Sequence, residues 1–289
     1  MRNKIQGTGV AIVTPFKGDG SVDFPALERL ILHLIGGAVD FIVAMGTTSE
    51  AVTLCNEERG QVLDFVKQQV GGKVPLVLGV GGNNTAAVVD QLRVTNFTGI
   101  EAILSVAPYY NKPNQRGLYA HFSAIAKASP VPVILYNVPG RTSSNLTAST
   151  TLSLANDFNN IIAIKEASGD LSQVMQILRT KPRDFMVLSG DDALTFPLIA
   201  LGAQGVISVV ANVLPAEFSS MVTHALQGRM EEAKTLHYQM LPLIDLLFAD
   251  GNPAGIKAAL HIKGICENNL RLPLVTVRDE VYNGLSVLL

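Results

Sequence analysis

Lys165 ends an apolar run, Ile161-Ile-Ala-Ile, and is followed by Glu166-Ala-Ser-Gly. A lysine buried at the end of such a run is costly while charged, unless it is paired or loses its proton. Desolvation favours the neutral amine, and a neutral amine attacks a ketone to form an imine. The plainer alternative is a lysine that reaches out to solvent or pairs with Glu166. For the residue taken alone, that alternative weighs more. Three neighbouring features shift the balance. Tyr136 ends another apolar run, Val133-Ile-Leu-Tyr, where a phenol can relay protons or can simply pack at a rim. Thr47-Thr48 follow Gly46 at a strand-to-loop turn, where backbone N–H groups and two hydroxyls suit a carboxylate, or where turn chemistry alone is at work. Arg141 follows Pro139-Gly140, and its planar fork suits bidentate carboxylate binding, the alternative being a solvated loop arginine.

These residues are spread over about 120 positions, so a fold must gather them. Eight short runs rich in Val, Ile and Leu recur along the chain: Gly9–Val13, Phe41–Met45, Leu76–Val80, Ala102–Val106, Val133–Tyr136, Ile161–Ile164, Met186–Leu188 and Val206–Val210. None alternates polar with apolar, which is how a parallel strand buried on both faces reads. Helical spacing fills the intervals: Leu27, Leu30, Ile31 and Leu34 share one face, and Val62, Phe65, Val66 and Val70 another. Asn56, Asn84 and Asp192 stand where N-caps are expected. Alternating strands and helices imply a parallel sheet, and eight units imply an α/β fold of the (β/α)8 TIM-barrel type, with a doubly wound sheet as runner-up. After Pro215 no further strand run appears, and Glu217–Gln227, Met230–Leu247 and Gly255–Cys266 read as helices. The expected organisation is a catalytic barrel over residues 1–228 and a C-terminal helical domain over 229–289.

The residues that follow the runs are polar and reactive: Gly46-Thr-Thr-Ser-Glu, Pro108-Tyr-Tyr-Asn, Tyr136-Asn, Lys165-Glu, Ser189-Gly-Asp-Asp and Ser208. Those at the other ends, Gly36-Gly37, Gly71-Gly72 and Ser129-Pro130, are punctuation. Barrel enzymes place their chemistry at the C-terminal ends of the strands, so this asymmetry points to an enzyme.

Composition narrows the class. The chain has 289 residues, 48% apolar and 16% charged, with a net charge of −2. A large core is expected, and neither nucleic acid nor an anionic membrane is favoured as partner. No apolar run approaches the length of a membrane span. The opening Met1-Arg-Asn-Lys-Ile-Gln-Gly has no apolar stretch behind its two basic residues, so no signal peptide is expected. Cys55 and Cys266 are distant and match no metal spacing, as expected of reduced thiols in a cytoplasmic protein. Gly79-Val-Gly-Gly-Asn-Asn lacks both nucleotide-loop spacings. Asp191-Asp192 has no ligand cluster near it in sequence and reads as a helix cap, and the five histidines follow no ligand spacing.

Four stretches, Gly46-Thr-Thr-Ser-Glu, Pro108-Tyr-Tyr-Asn, Tyr136-Asn-Val-Pro-Gly-Arg-Thr and Ile164-Lys-Glu-Ala-Ser-Gly-Asp, in this order and spacing, resemble the dihydrodipicolinate synthase (4-hydroxy-tetrahydrodipicolinate synthase) family. Ala11-Ile-Val-Thr-Pro-Phe, Leu188-Ser-Gly-Asp-Asp, Gly205-Val-Ile-Ser-Val and Asn252-Pro extend the likeness over nearly the whole chain. The resemblance implies a lyase in which Lys165 captures pyruvate as a Schiff base. It implies a proton relay of Tyr136, Thr47 and Tyr110, the last reaching in from a neighbouring subunit. Thr47 and Thr48 would cradle the pyruvate carboxylate, and Arg141 the carboxylate of L-aspartate 4-semialdehyde. Gly190 and Ile207 would line the pocket through their backbones. The product would be (2S,4S)-4-hydroxy-2,3,4,5-tetrahydrodipicolinate, on the diaminopimelate route to lysine, with no cofactor or metal, in a homotetramer built as a dimer of dimers. Relatives such as N-acetylneuraminate lyase and keto-deoxy sugar acid aldolases share the lysine and tyrosine; Arg141 favours the synthase over them.

Two departures stand out. Ser49 replaces a glycine common in the family, and since serine tolerates positive φ poorly the turn is expected to shift. Asn56 and Ala87 stand where lysine-inhibited members carry a histidine and an acidic residue, so inhibition by lysine is expected to be weak or absent. A non-catalytic sensor on the same barrel would lack Lys165 or Tyr136, and a metal-dependent hydrolase would need a His/Asp ligand set that the sequence does not offer.

Overall fold

The structure is a computed structural model that describes residues 4–289; Met1-Arg2-Asn3, part of the stretch considered above as a leader, lies outside them. Each of the eight apolar runs forms a strand: β1 (Gly7–Ala11), β2 (Phe41–Ala44), β3 (Leu76–Gly79), β4 (Ala102–Val106), β5 (Val133–Asn137), β6 (Ile161–Glu166), β7 (Met186–Ser189) and β8 (Gly205–Ser208). They pair in parallel in sequence order and close into a barrel. Closure rules out the doubly wound sheet: β1 pairs with β2 through Gly9↔Phe41 and with β8 through Gly7↔Gly205. The seam demands glycine, because Gly205 has φ +154° and a Cβ there would lie 2.2 Å from the Gly7 carbonyl oxygen.

The strand ends differ from the apolar runs for a physical reason. Val13 and Val210 are buried apolar residues, yet they lie beyond the ladder. β6 runs two residues past its apolar core, so Lys165 and Glu166 are themselves strand residues.

The helices are α1 (Phe24–Gly36), α2 (Asn56–Val70), α3 (Thr85–Val94), α4 (Gln115–Ala128), α5 (Pro139–Thr142), α6 (Ala148–Asp157), α7 (Leu171–Thr180), α8 (Thr195–Ala200), α9 (Pro215–Leu226), α10 (Met230–Ala249), α11 (Ala254–Ile262) and α12 (Asp279–Leu288). α1 buries Leu27, Leu30, Ile31 and Leu34, and α2 buries Val62, Val66 and Val70. Phe65 packs against Phe24 with ring centroids 5.0 Å apart and the rings tilted by 57°. Asn84 caps α3 by accepting from the N–H groups of Ala86 and Ala87. The other two expected caps are corrected. Asn56 is the first helical residue of α2; the cap is Cys55, whose N–H donates to Glu58 at 2.9 Å, because the glutamate reaches back one turn. Asp192 is not a cap either. Its carboxylate turns away from α8 and accepts from Ser208 Oγ and from the N–H groups of Val209 and Val210.

Two apolar cores result. Alternate strand residues, including Phe41, Val43, Val77, Leu104, Ile134, Leu188 and Ile207, fill the barrel interior, while their neighbours pack outward against the helices. α10 packs along α9 and touches α11 and α12, so the C-terminal helices lie against the barrel and reach its mouth.

Candidate active site

At the C-terminal end of the strands lies a cavity of about 450 Å³. Lys165, Tyr136, Thr47, Thr48, Arg141 and Gly190 all line it. Parallel pairing explains the innermost two: Tyr136 on β5 is in register with Lys165 on β6, so both side chains leave the same face of the sheet. Lys165 is only 5% exposed, and its Nζ lies 4.4 Å from the centroid of the Tyr136 ring. A pair with Glu166 does not form. The next residue along a strand faces the other way, and the Glu166 carboxylate accepts from Asn137 Nδ2 (3.1 Å), Gln173 Nε2 (2.9 Å) and the Ser168 N–H (2.8 Å) on the outer side of the barrel. Among the described residues no carboxylate pairs with Lys165.

Thr47–Ser49 form one turn of 3-10 helix after β2. Thr48 is buried and Thr47 exposed to the cavity. Ser49 itself does not take a positive φ: the left-handed residue is Glu50, at φ 52°, and the Ser49 hydroxyl donates to the Gly46 carbonyl at 2.7 Å. Arg141 sits in the short α5 on the exposed side of the cavity and donates through Nη2 to the Asn252 carbonyl at 3.2 Å. Gly190 forms wall against the lysine, its absent Cβ being 3.0 Å from Lys165 Cε. On β8, Ile207 lies deeper in the barrel interior, and the residue at the cavity wall there is Val209. Tyr110 lies outside the cavity of its own chain. It is 88% exposed, on backbone with φ 73°, in a loop tied down by Asn111 Nδ2 donating to the Asn83 carbonyl at 2.8 Å.

Sequence reasoning missed one whole wall. Ile244, Asp245, Phe248 and Ala249 of α10, with Asn252 beyond it, line the cavity. Their i, i+4 spacing reads from the sequence as an ordinary packing face. Asn252 is the working member: its Nδ2 donates to Thr48 Oγ1 at 3.0 Å while its carbonyl receives Arg141.

Electrostatically the cavity holds Lys165 and Arg141 against Asp191 and Asp245. Beside it, burial pushes the Asp192 carboxyl up to about 6 even though Ser208 and two backbone N–H groups hydrogen-bond to it. Among the described residues no group of three or more His, Cys, Asp or Glu side chains is placed to hold a metal ion. No helix among them is long and apolar enough to cross a membrane. The arrangement offers a buried amine beside a phenol, hydroxyls and N–H groups for one carboxylate, and a guanidinium for another.

Comparison with known proteins identifies a family. The model of the dihydrodipicolinate synthetase family matches residues 4–289. A 4-hydroxy-tetrahydrodipicolinate synthase of Parabacteroides distasonis is 52% identical over 99% of this chain and 96% of its own length. One of Phocaeicola vulgatus is 50% identical over 100% and 97%. Among solved structures, the dihydrodipicolinate synthase of Thermotoga maritima superimposes with a TM-score of 0.96 at 37% identity, covering 99% of this chain and 98% of the other.

Proposed function

The chain belongs to the dihydrodipicolinate synthetase family, and from that premise we propose that it is a lyase that condenses pyruvate with L-aspartate 4-semialdehyde at the cavity around Lys165, on the diaminopimelate route to lysine. The Lys165 amine attacks C2 of pyruvate and water leaves, giving an imine. Thr47 and Thr48 hold the pyruvate carboxylate. Loss of a C3 proton turns the imine into an enamine, whose carbon attacks the aldehyde of the second substrate. Arg141 holds that substrate's carboxylate at the open side of the cavity. Its amine then attacks the imine carbon, closes the ring and frees Lys165. The product is (2S,4S)-4-hydroxy-2,3,4,5-tetrahydrodipicolinate, and one water is released overall.

Each step moves a proton, and Tyr136 beside the lysine is the group to carry it. Thr47 continues the relay, and Tyr110 of a neighbouring subunit completes it; the outward tyrosine supports this part of the reading. The working assembly is then an oligomer, proposed as a homotetramer in the cytoplasm. The imine is itself the electron sink, so the reaction as written calls for no cofactor. Gly190 and Ile207 are proposed to shape the pocket through backbone groups. Residues 1–228 are taken as the catalytic barrel and 229–289 as a helical domain that completes the cavity wall.

The observation that carries the reading is a buried lysine without a counter-charge on the floor of this cavity, in register with Tyr136. Borohydride reduction in the presence of pyruvate, followed by mass spectrometry, is expected to leave a pyruvyl adduct on Lys165. No adduct there would overturn the mechanism. Turnover with L-aspartate 4-semialdehyde, and none with N-acetylneuraminate, is expected to fix the substrate.

A further inference from the structure

Behind the cavity, out of contact with it, the side chains of Lys257 and Glu50 form an ion pair in which both are 0% exposed. Lys257 Nζ also donates to the Asn269 carbonyl at 2.9 Å and lies 4.1 Å from the centroid of the Phe16 ring. The other oxygen of Glu50 accepts from the backbone N–H of Arg271 at 3.0 Å. The Arg271 guanidinium in turn holds the carbonyls of Gly20 and Thr53 and both oxygens of Glu58. Burial depresses the Lys257 ammonium and Glu50 works against that. A pair this deep is a poor choice if stability alone is wanted, since apolar residues of similar volume often serve as well. Its placement suggests what it does instead.

Glu50 is the residue that ends the Thr47–Ser49 turn in the left-handed conformation, with its N–H donating to the Thr47 carbonyl at 3.1 Å. Lys257 stands in the first turn of α11, its N–H bonded to the Pro253 carbonyl. One residue before that, Asn252 donates to Thr48 Oγ1. The start of α11 therefore grips the turn at two points on either side of Ser49, at Thr48 through Asn252 and at Glu50 through Lys257.

We infer that the buried Lys257–Glu50 pair is a positioning device that fixes the turn holding the pyruvate carboxylate. Neither side chain touches the cavity, so both act only through Thr47 and Thr48. The inference rests on the proposed role of that turn. A carboxylate cradle displaced by part of an ångström weakens capture of the ketoacid while leaving the amine in place, and a shift of that size is enough for about tenfold.

The test is the double variant Glu50→Gln/Lys257→Met, which removes both charges at nearly constant volume. Its pyruvate KM, and the pyruvate concentration for half-maximal borohydride trapping at Lys165, are expected to rise about tenfold, with kcat at saturating pyruvate and the melting temperature close to those of the unaltered protein. Glu50→Asp keeps the charge but shortens the reach, and is expected to give a smaller rise of the same kind; it serves if the double variant does not fold. A variant that melts lower yet captures pyruvate like the unaltered protein would mean that the pair is structural only, and the inference fails. Absence of trapping in the unaltered protein would instead defeat the reading of the cavity itself.

Discussion

Adding one carbon at Gly190 tests whether the wall beside Lys165 is where the structure puts it. In Gly190→Ala the new Cβ would lie 2.6 Å from Ala167 Cβ, 3.0 Å from Lys165 Cε and 3.1 Å from the Glu166 carbonyl oxygen. Carbon atoms pack at about 3.5–4.0 Å, so the shortfall is about 1 Å at Ala167 and at least half that at the lysine. The Ala167 methyl moves only with its backbone, and the Gly190 N–H is tied to the Glu166 carbonyl at 2.7 Å. The long lysine stem is the soft partner and swings first. Overpacking of this kind costs about 1–3 kcal/mol, which is roughly 2–5 °C in Tm for a chain of this size. A displacement of half an ångström to one ångström at the nucleophile is expected to slow imine formation by up to about 10²-fold. The assay is the rate of borohydride trapping with pyruvate, read beside a melting curve. Gly36→Ala, where a Cβ meets nothing within 4 Å, is the control and should trap normally. Trapping by Gly190→Ala at the unaltered rate with an unchanged melting temperature would refute the packing argument.

Three further outcomes are expected. Arg141→Met should leave trapping by pyruvate unchanged and raise KM for the aldehyde by about 10–10²-fold, the worth of a charge-assisted bidentate contact; an equal loss in both assays would place Arg141 elsewhere in the reaction. The Arg271 guanidinium holds Glu58 down to about 2 from an ordinary value of 4.5, so the stabilisation this gives is full above about pH 4.5 and is lost as pH falls toward 2. The melting difference between the unaltered protein and Glu58→Gln, a few degrees at neutral pH, should shrink over that window, because the pair is partly exposed but well hydrogen-bonded; a difference independent of pH would refute the linkage. Millimolar lysine should inhibit weakly or not at all, since Asn56 opens α2 and Ala87 stands in the first turn of α3 without the histidine and carboxylate of responsive relatives; strong inhibition in a standard turnover assay would sink that expectation.

The strands were legible because a parallel strand buried on both faces is continuously apolar, and because these short runs recur between amphipathic stretches. Their ends were not, because burial continues past the ladder: Val210 is as apolar as Val206, yet only the latter pairs. The gathering of Lys165, Tyr136, Thr47 and Arg141 at one mouth could be read from their positions after the runs. The wall from α10 could not, since Ile244 and Phe248 look like any helix face until their neighbour is known. Ser49 shows the same limit. Sequence shows that a serine replaces a glycine, but only the backbone shows that the left-handed position belongs to Glu50.

Charge compensation gives the independent reason to look at Lys165. Among the described residues five Asp, Glu, Lys or Arg side chains are buried: Glu50, Lys165, Glu166, Asp192 and Lys257. Glu50 and Lys257 neutralise one another. Glu166 accepts from two side-chain amides and a backbone N–H, and Asp192 from a hydroxyl and two backbone N–H groups. Lys165 alone has no counter-charge, only the face of Tyr136, and a ring face stabilises a cation by only about 0.5–2 kcal/mol. The fold thus saturates four of these five side chains and turns the fifth into the cavity without a partner of opposite charge. The alternation of β6 makes this possible: the carboxylate nearest in sequence is turned to the far side of the sheet and saturated there. Had Glu166 faced inward, it would have stood beside the Lys165 amine in the cavity; turned outward, it leaves that amine without a carboxylate partner.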